Sequence, residues 1–420
     1  MNALHYRLLG LLLGLGALAG CKQELAKPYS TTPTGGYANL ALPNTTALVT
    51  KYAPGESIPL TLGYYQGDNP TTVTVFQATK TDSSQAGSYP VSGTFNTTLA
   101  VNTQAIPYSV PTTYAIGTAV RVDVTLNFAD GGRQLRRLTY TVASLPTLTN
   151  GTPTLTYRNG LGASAQVSGD VIGYAITLNA GGISTVPTGA TIPPANLFKN
   201  VDSLVYYART GPTGALQRQG VVKSPTAGVA NSRTIDVRIP SGSAAAGGAQ
   251  FVFTAFAQTT STTLTSALVP VAAAGTALAT TRRGLVSFGG GSSADSLAFN
   301  LSTGLPEPAA NASTGKDLQV SGLSTAGTGA LTLSAPNATR YYKLTSAQLA
   351  ANPYATATAN QVGLLLYQNT AGADLGTPAA GDVYAVRLRG ASTYALLRIL
   401  GTRASSGGGV GRVKFEYRSL

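Results

Sequence analysis

The chain has 420 residues, with 28 Lys and Arg against 15 Asp and Glu, a formal net charge of +13. It holds one Cys, one His, one Met and no Trp, and the Met and the His are Met1 and His5. Residues 22–420 therefore carry no imidazole, thiol or thioether. That excludes from them zinc sites built on His and Cys, haem ligation by His or Met, and any nucleophilic triad needing His or Cys. A single Cys also leaves no intramolecular disulfide, so stability has to come from burial. The basic excess is thinly spread over a chain only 10% charged, with no run longer than pairs such as Arg136-Arg137 and Arg282-Arg283. A nucleic-acid footprint would be concentrated, so no nucleic-acid partner is expected.

The first element is a leader. A short polar stretch through Arg7 precedes the uncharged run Leu8–Gly20, rich in Leu, Gly and Ala. Such a run is shorter than the roughly 20 apolar residues that span a bilayer, and it has the flanks of a secretory h-region. It ends in Leu18-Ala19-Gly20-Cys21. These four residues resemble the lipobox of bacterial lipoproteins. The resemblance implies cleavage between Gly20 and Cys21, acylation of Cys21, and, with Lys22 in place of Asp, an outer-membrane address. The face of that membrane, periplasmic or external, stays open. Several acyl chains would give durable attachment where one gives only marginal binding.

Residues 21–36 follow as a lipidated terminus and flexible stalk, with LAKPYSTTPTGG rich in Pro, Thr and Gly. Beyond it the pattern alternates with period two. In AVRVDVTLNFADGGRQLRRLTYTV (119–142), Val120, Val122, Val124, Leu126 and Phe128 share one face, and Asp130-Gly131-Gly132 supplies a turn. This predicts a β-hairpin. Further strands are predicted at 71–77, 202–209, 233–240, 250–257, 295–302, 330–334, 362–368, 383–389, 394–400 and 411–417. One short helix is predicted over 346–352, with Thr345 as N-cap and Pro353 beyond its end.

Many short strands and little helix predict an all-β chain of about three tandem β-sandwich modules, immunoglobulin- or fibronectin-like in size. Breaks rich in Pro, Gly and Ala at 143–153 and 270–281 set the modules at 37–145, 152–270 and 283–420. A lipobox followed by such modules resembles the surface lipoproteins that accompany glycan uptake in Gram-negative bacteria. The resemblance implies a binding role at the cell envelope. The last module also resembles β-rich haem-scavenging lipoproteins, but those hold haem through His, and residues 22–420 have none.

No cofactor or metal site is expected. Ser313-Thr314-Gly315-Lys316 fits the Ser-x-x-Lys pattern of penicillin-recognising enzymes, yet it stands in a loop-like context without the companion Ser-Asp-Asn or Lys-Thr-Gly. The glycine runs at 289–291 and 407–409 lack phosphate-loop spacing. The carboxylates are scattered with no pair singled out. Tyrosine is the remaining candidate, with 21 copies. Adjacent tyrosines occur once per module, at Tyr64-Tyr65, Tyr206-Tyr207 and Tyr341-Tyr342, and strand geometry sends one ring of each pair inward and one outward. Tyr65, Tyr207 and Tyr342 are thereby the candidate rings for stacking on a sugar. The expected function is non-catalytic: a lipid-anchored envelope protein that binds or scaffolds a glycan or protein partner. The alternative is a carboxylate-dependent hydrolase of cell-surface polysaccharide.

Overall fold

A computed structural model describes residues 36–42, 50–185, 188, 194–226, 228–288, 296–308, 310–323, 329–405 and 410–420. Gly20 and Cys21 lie outside the described residues, as do both glycine runs. The chain is all-β, built from sheets whose strands pair antiparallel except for the short parallel pairing of Lys51–Tyr52, and the described residues include two short α-helices. Among the described residues no helix is long and apolar enough to cross a membrane.

Two compact units form. The first comprises the described residues up to Ser144 together with Thr185–Lys199. One of its sheets is ordered Ala38–Ala41, Ser57–Tyr64, Val101–Ser109, Thr94–Asn96. The other is ordered Lys51–Tyr52, Arg133–Val142, Ala119–Phe128, Pro70–Ala78, Ser83–Pro90. The predicted hairpin is Ala119–Phe128 with Arg133–Val142. Gly131 takes φ +85° at its turn, and the Asp130 carboxylate accepts a hydrogen bond from the Gly132 amide at 2.8 Å. Val120, Val122, Val124 and Leu126 pack with Ile58, Leu60 and Leu62 of the facing sheet in one core. Each such side chain contributes roughly 1.5–3 kcal/mol relative to exposure.

The second unit comprises Leu145–Ser184 and Asn200–Leu420. Two pairs of sheets each close over a core of their own. One is centred on Tyr174, Phe251 and Phe253, the other on Phe299, Phe415 and Tyr417. The stretch 143–153, read from sequence as a break, contributes the start of the strand Leu148–Tyr157, whose alternation is interrupted by a register shift between Asn150 and Leu155. Within 295–302 the strand is only Ala298–Asn300.

The helix Ser346–Ala351 forms as predicted, with a capping box between Thr345 and Gln348. The predicted strand at 362–368 instead falls within a helix, Ala359–Gln368. Thr358 caps it through a second capping box with Gln361. Its Val362 and Leu365 pack against Val383, Ala385 and Leu396, on the outer face of a five-stranded sheet. An uninterrupted apolar run does not distinguish a buried helix from a buried strand, and here the capping residues decided it.

Polar contacts also join the elements of this unit. The Asn360 amide donates to Asp170 Oδ2 and to the Ala165 carbonyl, each at 2.7 Å. Tyr394 donates its hydroxyl hydrogen to the Asn159 carbonyl. Burial raises the Asp170 carboxyl above the ordinary carboxylate value, against the lowering effect of its hydrogen bonds.

Candidate functional site

The three candidate tyrosines have different surroundings. Tyr65 follows the strand Ser57–Tyr64 directly. Its backbone is extended (φ −89°, ψ 130°), and the 3-10 turn Gln66–Asp68 then reverses the chain through Asn69 at φ +52°. Ala38 and Tyr64 are cross-strand partners and both are buried, so their neighbours Tyr37 and Tyr65 fall on the opposite face of the sheet. That face is open: Tyr37 is 40% and Tyr65 47% exposed. Their ring centroids lie 4.8 Å apart with the planes tilted by 38°.

Asp68, on the turn, holds the first ring in place by accepting a hydrogen bond from the Tyr37 amide at 2.7 Å. Beside the rings lies Gly63, where an added Cβ would sit 3.4 Å from Val101 and close to Asn39. Gly63 is itself buried, with the Val101 side chain against the place a side chain would take. Gln66 accepts a hydrogen bond from the Asn102 amide group at 2.9 Å and so braces the turn against the neighbouring strand. The result is a two-ring platform with polar groups at its rim.

Tyr207 is half-buried on the outer face of the sheet ordered Gln217–Lys223, Ser203–Thr210, Ala249–Ala257, Thr260–Thr265, opposite Arg218 and Val252. Its neighbour Tyr206 packs against the core. Tyr342 is also half-buried, packed against the cluster that holds the helix Ala359–Gln368, and its hydroxyl donates to Gln348 Oε1 at 3.1 Å. Of the three, only Tyr65 belongs to an exposed pair of rings. Its partner Tyr37 had no sequence signal, because the contact joins the start of one strand to the end of another.

The carboxylates that a hydrolase would need are engaged in structural contacts. Glu56 is buried in an ion pair with Lys199, whose ammonium lies 5.7 Å from the centre of the Tyr52 ring. Burial, then the Glu56 charge, pushes the Tyr52 hydroxyl up to about 12. Asp123 is held by Arg121 at 3.1 Å and Arg137 at 2.7 Å.

Asp317 is fully buried and receives hydrogen bonds from Arg389, Asn337, Thr339 and the Leu301 amide, all at 2.7–3.0 Å. It directly follows the Ser-x-x-Lys sequence, whose Ser313–Gly315 is an exposed 3-10 turn leading to the buried Lys316. Among the described residues no three His, Cys, Asp or Glu side chains gather in a way that would hold a metal ion. One open cleft of about 810 Å³ in the first unit is lined by Lys80, Asp82, Arg121, Tyr140 and several threonines, with charges of both signs.

No family model and no curated protein matches the chain. Among solved structures it is similar to a DUF4466 family protein from Parabacteroides merdae, at 11% identity and a TM-score of 0.23. The match covers 66% of this chain and 100% of that one.

Proposed function

We propose that this chain is a non-catalytic lipoprotein of the cell envelope, held at the outer membrane by acylated Cys21, that binds a glycan through the Tyr37–Tyr65 platform. The supporting observation is the exposed pair of rings, braced by Asp68. A sugar presents an apolar face of C–H groups edged by hydroxyls. A tyrosine ring matches the first and polar rim groups match the second. The lipobox residues support the anchor. The hydrolase reading has no comparable support, since the buried carboxylates Glu56, Asp123 and Asp317 are each engaged in an ion pair with a neighbouring cation.

One preparation tests the reading in two arms. Mass spectrometry of the N-terminal peptide is expected to show an acylated Cys21, lost in Cys21→Ser. On a glycan array the chain is expected to retain a subset of bacterial or plant polysaccharides, with affinity falling at least about tenfold in Tyr65→Ala, about 1.4 kcal/mol. Unchanged binding in that variant, with a native circular-dichroism spectrum, refutes the platform. An unmodified thiol refutes the anchor.

A further inference from the structure

The five-stranded sheet of the second unit, ordered Thr280–Phe288, Gly411–Ser419, Tyr394–Arg403, Val383–Arg387, Arg340–Lys343, has an outer face divided in two. The helix Ala359–Gln368 covers the part formed by Val383, Ala385 and Leu396. The remainder, on the first three strands, is cationic.

Register fixes its side chains in rows. Arg283, Glu416 and Arg398 form one, Leu285 and Lys414 face Gly401 in the next, and Ser287, Arg412 and Arg403 form the third. Five cations thus stand against one carboxylate. Glu416 is already shared between Arg283 and Arg398. Arg403, Arg412 and Lys414 are exposed, and their side chains make no hydrogen bond or ion pair to any described residue. Arg403 and Arg412 are direct cross-strand neighbours, with Cβ atoms typically about 5 Å apart, an arrangement that is unfavourable unless an anion lies over it. Leu285 and Leu400 stand among these charges, 37% and 41% exposed.

We infer that this face docks on anionic lipid headgroups, with Arg403, Arg412 and Lys414 meeting phosphates and Leu285 and Leu400 reaching between them. Guanidinium groups pair with phosphate in a two-pronged geometry, and each basic side chain at an anionic bilayer surface adds about 1 kcal/mol of attraction, roughly fivefold in partitioning. The exposed leucines have a role at a lipid interface and none against a sulfated or carboxylated polymer. The inference is independent of the aromatic platform, which belongs to the other unit.

The test uses the full chain carrying Cys21→Ser, so that no acyl group contributes, in cosedimentation with vesicles of phosphatidylglycerol and phosphatidylethanolamine. Binding is expected, at least tenfold weaker to phosphatidylcholine vesicles and lost in 0.5 M salt. The triple variant Arg403→Gln, Arg412→Gln, Lys414→Gln is expected to weaken partitioning by on the order of 100-fold at low salt, from about fivefold per cation. A control triple on other surfaces, Arg133→Gln, Arg209→Gln, Arg218→Gln, is expected to stay within threefold. Equal loss in the control triple, equal binding to neutral vesicles, or retention of dextran sulfate with no vesicle binding each overturns the inference. Arg403, Arg412, Lys414, Arg133 and Arg218 are exposed and Arg209 is half-buried, and an unchanged circular-dichroism spectrum confirms that each variant remains folded.

Discussion

Tyr64-Tyr65 and Tyr341-Tyr342 are the same dipeptide on strands of two different sandwiches, and their outward rings have opposite surroundings. Inward, the two pairs agree: Tyr64 and Tyr341 are both buried, with the Tyr64 hydroxyl accepting from the Gly93 amide at 2.7 Å and the Tyr341 hydroxyl donating to the Asp317 carbonyl. Outward, Tyr65 shares an open face with Tyr37, while Tyr342 is packed in the helix-bearing cluster and bonded to Gln348. Alternation decides which ring leaves the core. Whether the outer face is then solvent or a second layer depends on what packs over the sheet.

The largest effect that tests this comparison is on the inward ring. Tyr64→Ala removes a fully buried aromatic and leaves the Gly93 amide without its acceptor, so it is expected to cost about 3–5 kcal/mol in chemical denaturation. Tyr65→Ala, on the exposed side of the same strand end, is expected to stay within about 0.5 kcal/mol. Similar losses in both would mean that the two rings are not divided between core and surface.

A smaller effect separates the two outward rings. Tyr342→Phe keeps the packing and removes one hydrogen bond to Gln348, an expected cost of about 0.5–1.5 kcal/mol. Tyr65→Phe has no such bond to lose and is expected to be silent in the same melt. If the two phenylalanine variants melt alike, the hydrogen bond to Gln348 contributes nothing to Tyr342.

The all-β class and the hairpin at 119–142 were legible because a half-buried strand records its two faces in its own side chains. The helix at 359–368 was not, since Val362-Gly363-Leu364-Leu365-Leu366 is apolar almost without interruption and shows neither period clearly. The legible clue was Thr358 followed by Gln361, the same Thr-x-x-Gln spacing that forms the capping box of the helix at 346–351. The candidate site was half legible: Tyr65 follows from alternation, but Tyr37 and the bracing by Asp68 join residues 31 apart. The placement of Thr185–Lys199 in the first unit was out of reach altogether. There Lys199 meets Glu56 across 143 positions and Leu197 and Lys199 bond to the backbone of Ser144, contacts that local pattern does not encode.

The smallest expected effect concerns a comparison within one sheet face. In the row Arg283–Glu416–Arg398 the central carboxylate neutralises its neighbours, whereas in the row Ser287–Arg412–Arg403 two guanidinium groups meet across adjacent strands with only a serine beside them. Like charges directly opposite destabilise a ladder, so removing one should help. Arg403→Gln is expected to raise stability by about 0.5 kcal/mol at low salt, on the order of 1–2 °C in the melting temperature. The gain should vanish in 1 M salt, where the screening length falls to about 3 Å. Arg398→Gln, which takes a partner from the nearly buried Glu416, should move the melt the other way under the same conditions. A salt-independent change in Arg403→Gln, or a loss, would mean that the rung is not repulsive in the free protein. The argument that an external anion completes it would then lose its physical basis.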